Sequence, residues 1–368
     1  MIKTERPHLR VAANSHPGMT GKQNEDRYGV SVFKSDAGPQ VLAVLCDGIG
    51  GHRAGEVAAE MGVSLVTEVV GASDGSQPLE TLSAAIVQAS QAIFEASRAD
   101  HGRAGMGATC ACAWVIGDRL YTANLGDSRI YLLRKGDFVQ LSTDHTWIQE
   151  AMDAGIISGE AGTDHPNAHV IRRYLGSKSP AEPDFRLWFF EGEDDEAARM
   201  NQGLQLLPED LILLCSDGLT DLVLDEEVRA VLERERLEKV PDLLIGMANE
   251  RGGHDNITVV LLKVPRKDGG AKDSPKRRWA LGCLVGLAAL ILLIAAVVLG
   301  TRWWSNRLET QFTATVAAQP TEQAVTELPG SPGRLPTVTP AVPEFGPTGE
   351  PGAPQPSITP WPTDTRSP

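Results

Sequence analysis

The sequence predicts an α+β layered domain over residues 1–264, followed by a membrane-spanning helix and an unstructured tail. Three observations carry this. Residues 106–142, "MGATCACAWVIGDRLYTANLGDSRIYLLRKGDFVQLS", read as apolar strands joined by Gly/Asp turns too short for anything but antiparallel neighbours. Helical stripes lie before and after this meander, so helices cover an antiparallel sheet system rather than alternating with parallel strands. Finally, the 22 residues from Trp279 to Gly300 contain no charge.

Taken in order, Tyr28–Phe33 and Val41–Cys46 are short apolar runs suited to strands. Residues 54–70 repeat apolar side chains at Val57, Met61, Leu65 and Val69, the stripe of an amphipathic helix, and residues 79–98 form a second one. Strands follow at Thr109–Ile116, Arg119–Asn124 and Arg129–Leu133, separated by Gly117-Asp118 and Gly126-Asp127, with a further turn at Lys135-Gly136-Asp137. A helix is expected at 145–154, and "EGEDDE" (191–196) reads as a solvated acidic loop. Leu211–Cys215 and Ile257–Val264 are strands, with helices at 225–236 and 241–250 between them.

Charge divides the chain. Residues before 263 carry 23 Lys/Arg against 40 Asp/Glu, a net charge of −17, which argues against a nucleic-acid surface. The five cysteines show no CxxC pair and no histidine at zinc spacing, and four of them sit inside apolar runs as small buried thiols. Residues 265–278 form a basic linker. As a helix the run 279–300 spans about 33 Å, the thickness of a bilayer's hydrocarbon core. Seven Lys/Arg lie within 263–278 and only two within 301–320, so the first 278 residues are expected in the cytoplasm and the C-terminus outside. Residues 301–368, rich in Pro, Thr, Gly and Ser, are expected to form a disordered extracytoplasmic tail.

Acidic residues recur at the ends of the apolar strands. Asp47 follows Val41–Cys46; Asp217 follows Leu211–Cys215 after Ser216; Asp255 precedes Ile257–Val264. Glu25 and Asp26 precede Tyr28–Phe33, and Asp127 lies between two strands. A single Asp-Gly is ordinarily a turn. Five such segments, if they converge, need a hard divalent cation to neutralise them, and oxygen ligands suit Mg²⁺ or Mn²⁺ better than zinc. Gly48 after Asp47 leaves its carbonyl free to approach the ion. Because one Mg²⁺ keeps several waters, this many carboxylates suit two ions, the arrangement that promotes in-line displacement at phosphorus.

"NED" (24–26), "LCDGIGGHRAGEVAA" (45–59), "GAT" (107–109), "ANLGDSRIYLLRKGDFVQLSTDH" (123–145), "IRRYLG" (171–176), "LLCSDGLTDLV" (213–223) and "HDNITVVLL" (254–262) resemble, in this order, the bacterial type-2C metal-dependent serine/threonine protein phosphatases (the PPM family). The resemblance implies two antiparallel sheets sandwiched by helices. It also implies hydrolysis of phosphoserine and phosphothreonine on proteins by a metal-activated water, opposing serine/threonine kinases, and so phosphorylated proteins, kinases among them, as partners. By position, Asp47 looks like the carboxylate bridging both metals, and Asp217 and Asp255 like ligands of the first. Glu25 and the Gly48 carbonyl would serve the second, with Asp26 acting through water, and Asp127 resembles the residue used for a third ion. His52 is the candidate acid for the leaving oxygen, against the alternative that it is structural. The segment between His145 and Leu187 takes the place of the family's substrate-selecting flap.

One position departs from the pattern. The family usually places Arg five residues before the Asp of "NED" to grip phosphate; here Gly21 stands there, with Lys22 beside it. Lys22 could supply a point charge but no bidentate fork. Two rival readings remain: a phosphoprotein-binding scaffold without catalysis, and a phosphotransferase using Asp47 as nucleophile. The latter generally carries a second Asp two residues on, where this chain has Ile49.

Overall fold

The computed structural model describes residues 1–4, 7–50, 54–157, 166–167, 169–266 and 293–303. The chain divides into two compact units, Met1–Ser274 and Pro275–Pro368. In the second, residues 293–303 are helical. Among the described residues no helix is long and apolar enough to cross a membrane. Of the expected span, only 293–300 are described; the rest of it, the linker from 267 onward and the tail after 303 lie outside the described residues.

The first unit contains strands β1 (Ile2–Lys3), β2 (Arg10–His16), β3 (Arg27–Ser35), β4 (Gly38–Cys46) and β5 (Gly48–Ile49), then helices α1 (Ala54–Ala72) and α2 (Pro78–Ala99). Strands β6 (Gly107–Ala108), β7 (Cys110–Ile116), β8 (Arg119–Leu125), β9 (Arg129–Arg134) and β10 (Asp137–Gln140) follow. The remainder is α3 (Trp147–Asp153), α4 (Asp195–Met200), β11 (Leu204–Gln205), β12 (Leu211–Cys215), α5 (Asp217–Thr220), α6 (Asp225–Arg234), α7 (Val240–Glu250) and β13 (Ile257–Lys263).

The strands form two antiparallel sheets, ordered β1-β3-β4-β7-β8-β11 and β10-β9-β12-β13-β2, plus a small β5-β6 ribbon. Three apolar layers hold them. Leu42, Val44 and Cys46 of β4 face α1 and α2, where Val66, Val70, Ile86 and Ile93 are fully buried. The alternate residues Val41, Ala43 and Leu45 face the second sheet and meet Ile212, Leu214, Val260 and Leu262. On the far side, Leu211, Leu213, Val259 and Leu261 pack against Val228 and Leu232 of α6 and Leu244 and Ala248 of α7. Period-two alternation thus buries both faces of β4, β12 and β13, which is why each is a continuous apolar run. Even Trp114, fully buried, is satisfied: its indole N–H donates to Gln40 Oε1 at 2.9 Å.

The expected meander does not stay in one sheet. β7 and β8 pair as a hairpin, but the turn at Gly126, with φ +109°, carries the chain out of the first sheet into β9 of the second. Two further differences have local causes. The acidic segment expected as a loop initiates α4, because the Asp194 carboxylate caps Ala197 N–H at 2.8 Å. Strand β2, "RVAANSH", is an edge strand paired only with β13, so it lacks the long apolar signature of the central strands.

Candidate metal centre

The sheet register explains why the acids gather. β4 and β7 pair Leu45 with Ala111, and the β5-β6 ribbon resumes the same register with Gly48 opposite Ala108. Asp47 therefore faces Thr109 in an interrupted ladder. Its N–H donates to Thr109 Oγ1, and Thr109 N–H donates to its carbonyl, both at 2.8 Å. Alternation puts Asp47 on the side of Leu45 and Ala43, at the open end of the layer between the sheets. Asp26, just before β3, falls on that side too. From the opposite sheet Ser216 and Thr258 reach it, donating to Asp26 Oδ2 at 2.8 and 2.6 Å. The acids are side chains that run past the end of the inter-sheet core.

Asn256 ties the remaining pieces together. Its Oδ1 accepts from Glu25 N–H at 2.6 Å, and its Nδ2 donates to the carbonyls of Pro17 and Gln23 at 3.1 and 3.2 Å. The loop carrying Lys22, Glu25 and Asp26 is thereby fixed to the segment carrying Asp255. Gly218 completes the joint: a Cβ there would lie 2.2 Å from the Asn256 carbonyl oxygen, so only glycine lets the Asp217 turn approach. At the other edge, a Cβ on Gly55 would lie 2.8 Å from the Gly48 carbonyl and 2.9 Å from Glu25 Cδ. The start of α1 thus seats the Gly48 carbonyl beside the Glu25 carboxylate.

The electrostatics are those of crowded anions. Burial, then Asp26, Asp217, Asp127 and Asp255, push Asp47 well above the usual carboxylate range. Asp217 is raised by burial and by Asp127, Asp221 and Asp255. Burial lifts Asp26 to about 6 against the hydrogen bonds from Thr258 and Ser216, and lifts Asp127, with help from Asp144, to about 7. Burial and Asp255 raise Glu25, while Lys22 pulls it down. Asp26 Oδ1, Asp127 Oδ1 and Asp217 Oδ1 are buried without a hydrogen-bond partner. Among the described residues Arg129 offsets part of this charge at Asp127, but it is paired with Asp144, at 2.8 Å, and with the Tyr131 hydroxyl, at 3.2 Å.

Among the described residues no group of three or more His, Cys, Asp or Glu side chains stands placed to hold a metal ion. The donor set nevertheless fits hard divalent cations. It offers orphaned carboxylate oxygens, carboxylates lifted by their neighbours, and an open cleft of about 650 Å³ that admits the waters Mg²⁺ and Mn²⁺ retain. Asp217 and Asp255 line that cleft with Asp127.

The structure therefore brings together Glu25, Asp26, Asp47, Gly48, Asp127, Asp217 and Asp255. Lys22 is exposed on the loop beside Glu25. His52 lies outside the described residues. Gly21 has φ +74° and open space around it, a backbone setting that disfavours any side chain, arginine included. Sequence reasoning missed the supporting groups Asn256, Ser216, Thr258 and Gly55. It also missed a buried brace behind Asp127. Gly126 N–H donates to His145 Nδ1 at 3.1 Å, and His145 Nε2 faces Asp184 Oδ2 at 3.3 Å. Burial alone would raise Asp184, but hydrogen bonds from His145 and Arg186 hold it well below the usual range.

The chain is similar to known proteins in sequence and fold. Residues 16–244 match the family described as Protein phosphatase 2C. The serine/threonine phosphatase stp of Listeria monocytogenes serotype 4b (strain F2365) is 34% identical over 251 residues, covering 67% of this chain and 92% of that protein. The solved structure of the S. agalactiae serine/threonine phosphatase is similar with a TM-score of 0.61 at 30% identity, covering 70% of this chain and 99% of that one. The catalytic domain of the serine threonine protein phosphatase PstP, solved with 2 manganese ions, matches with a TM-score of 0.55 at 33% identity, over 69% of this chain and 97% of that one.

Proposed function

Because the chain belongs to the protein phosphatase 2C family, we infer that its cleft hydrolyses phosphoserine and phosphothreonine on proteins, with two Mn²⁺ or Mg²⁺ ions as cofactors. The observation that carries this reading is the convergence of acids from both sheets, three of them with a buried oxygen that no protein group satisfies. Asp47 is assigned to both ions, Asp217 and Asp255 to the first, and Glu25 with the Gly48 carbonyl to the second. Asp26 supports the second ion through water, and Asp127 a third, weaker one. When bound, such ions neutralise phosphate charge and activate water for in-line attack at phosphorus. The chain's own part is to orient them: Asn256 fixes Glu25, Ser216 and Thr258 fix Asp26, and Gly55 seats the Gly48 carbonyl.

Lys22 is the cation assigned to the phosphoryl group in place of the usual arginine, supported by its place on the Glu25 loop. His52 is assigned, on its place in the motif alone, the proton for the leaving serine or threonine oxygen. The natural substrates on this reading are proteins phosphorylated by serine/threonine kinases, and the kinases themselves. We place the domain at the cytoplasmic face of a membrane, anchored by residues 279–300. The charge-free run and the excess of Lys/Arg before it support that placement.

The test is hydrolysis of a phosphothreonine peptide by the full-length chain in detergent with millimolar Mn²⁺. Turnover should vanish with chelator and in Asp217→Asn. Turnover that survives both would refute the metal assignment. Peptide binding with no turnover at any Mn²⁺ concentration would favour the scaffold instead.

A further inference from the structure

The cleft holds more than its acids. Beyond Asp127, Asp217 and Asp255, its lining includes Ile148 and Met152 from α3 and Leu222 and Leu224 from the loop between α5 and α6. Ile148 and Met152 are four residues apart, on one face of their helix.

Leu224 is the telling residue. It is 67% exposed, and it occupies the N-cap position of α6, where Ser, Thr, Asp or Asn would satisfy a backbone N–H and leucine cannot. The fold compensates from behind. Glu227 accepts from Leu224 N–H at 3.2 Å, Arg251 grips Glu227 at 2.6 and 2.7 Å, and Arg251 also donates to the Leu222 carbonyl at 2.7 Å. The backbone is braced while the large apolar side chain is left at the cleft. Its side chain makes no cap hydrogen bond and lines the same cleft as Asp127, Asp217 and Asp255.

We propose that Ile148, Met152, Leu222 and Leu224 form a specificity subsite that takes one large apolar side chain next to the phosphorylated residue of a substrate protein. The proposal rests on the phosphatase reading above and extends it to substrate class. A basic flanking residue is the competing occupant, because Asp221 also lines the cleft, with His169 at 3.5 Å as its partner.

The test uses the full-length chain in detergent with Mn²⁺ and phosphothreonine peptides carrying leucine, lysine or glycine at each flanking position. At one position leucine should raise kcat/KM about tenfold over glycine, chiefly through KM, the scale of a modest apolar contact. Leu224→Asp and Met152→Asp should each erase most of that ratio. Leu224→Ser separates the subsite from folding: a better N-cap, it should unfold at a higher temperature yet lose the preference. Equal rates for leucine and glycine, a preference for lysine alone, or discrimination kept intact in both Leu224 variants would overturn the subsite. Failure of the wild-type chain to hydrolyse p-nitrophenyl phosphate would instead overturn the phosphatase reading, so the two failures are distinct.

Discussion

Replacing Asn256 by alanine removes three hydrogen bonds at once and alters none of the carboxylates assigned to the ions. The lost contacts are the 2.6 Å bond from Glu25 N–H and the 3.1 and 3.2 Å bonds to the Pro17 and Gln23 carbonyls. Pro17 and Gln23 are exposed, so their carbonyls recover water and each loss costs about 0.5 kcal/mol, the low end for a hydrogen bond. Glu25 N–H is more enclosed and costs about 1 kcal/mol. The sum is about 2 kcal/mol, a fall of roughly 4–8 °C in Tm for a domain of this size. The larger effect is on function, because the freed loop carries Glu25 and Asp26. The Mn²⁺ concentration for half-maximal activity should rise about tenfold or more, as when groups that orient metal ligands are lost. Calorimetry in chelator gives the first quantity and a Mn²⁺ titration of phosphopeptide hydrolysis the second. A variant with the expected loss of Tm but an unchanged Mn²⁺ requirement would refute the argument that Asn256 positions the second ion.

Asp47→Asn should abolish turnover while raising the Tm of the chelated protein, since it removes a carboxylate that its neighbours repel; calorimetry and an activity assay read both. Gly55→Ala, in the first turn of α1, gains less than the ~1 kcal/mol of a helix-interior position and drives a methyl into the Gly48 carbonyl and Glu25. It should leave Tm within a few degrees of wild type and raise the Mn²⁺ requirement. Chelated protein should lose Tm between about pH 4 and 7. Asp26 and Asp127 bind protons more tightly folded than unfolded, so their stabilisation is full below about pH 4 and is lost through about 6 and 7. Excess Mn²⁺ should flatten that slope and add about 2.7 kcal/mol at a hundred times its Kd, readable as a higher Tm.

Legibility followed burial. Strands β4, β12 and β13 could be read because both faces are covered and the acid at each end interrupts an apolar run. Asp47, Asp217 and Asp255 stood out for the same reason. Strand β2 could not be read, since it has one paired edge and polar residues such as Asn14 and Ser15. The move from β8 to β9 was also hidden. Gly126-Asp127 announces a turn, but turn chemistry is local and does not name the sheet the next strand joins. Helix α4 hid behind its own cap, because Asp194 to Glu196 are as suited to a first helical turn as to a loop. Asn256, Ser216 and Thr258 were passed over as ordinary polar residues, because their part depends on neighbours about 190 to 230 residues away in sequence.

Half of the acidic cluster hangs from each sheet, and Asp26 of one sheet rests on hydroxyls of the other. On the proposed assignment, bound ions would act as fasteners across a seam whose width is set by the apolar layer running away from them. Trimming Val41 or Leu214, deep in that layer and remote from any substrate, should shift the spacing of the fastened end. Interior packing would then be part of the metal chemistry, and the size of a buried methyl should tell on how firmly manganese is held.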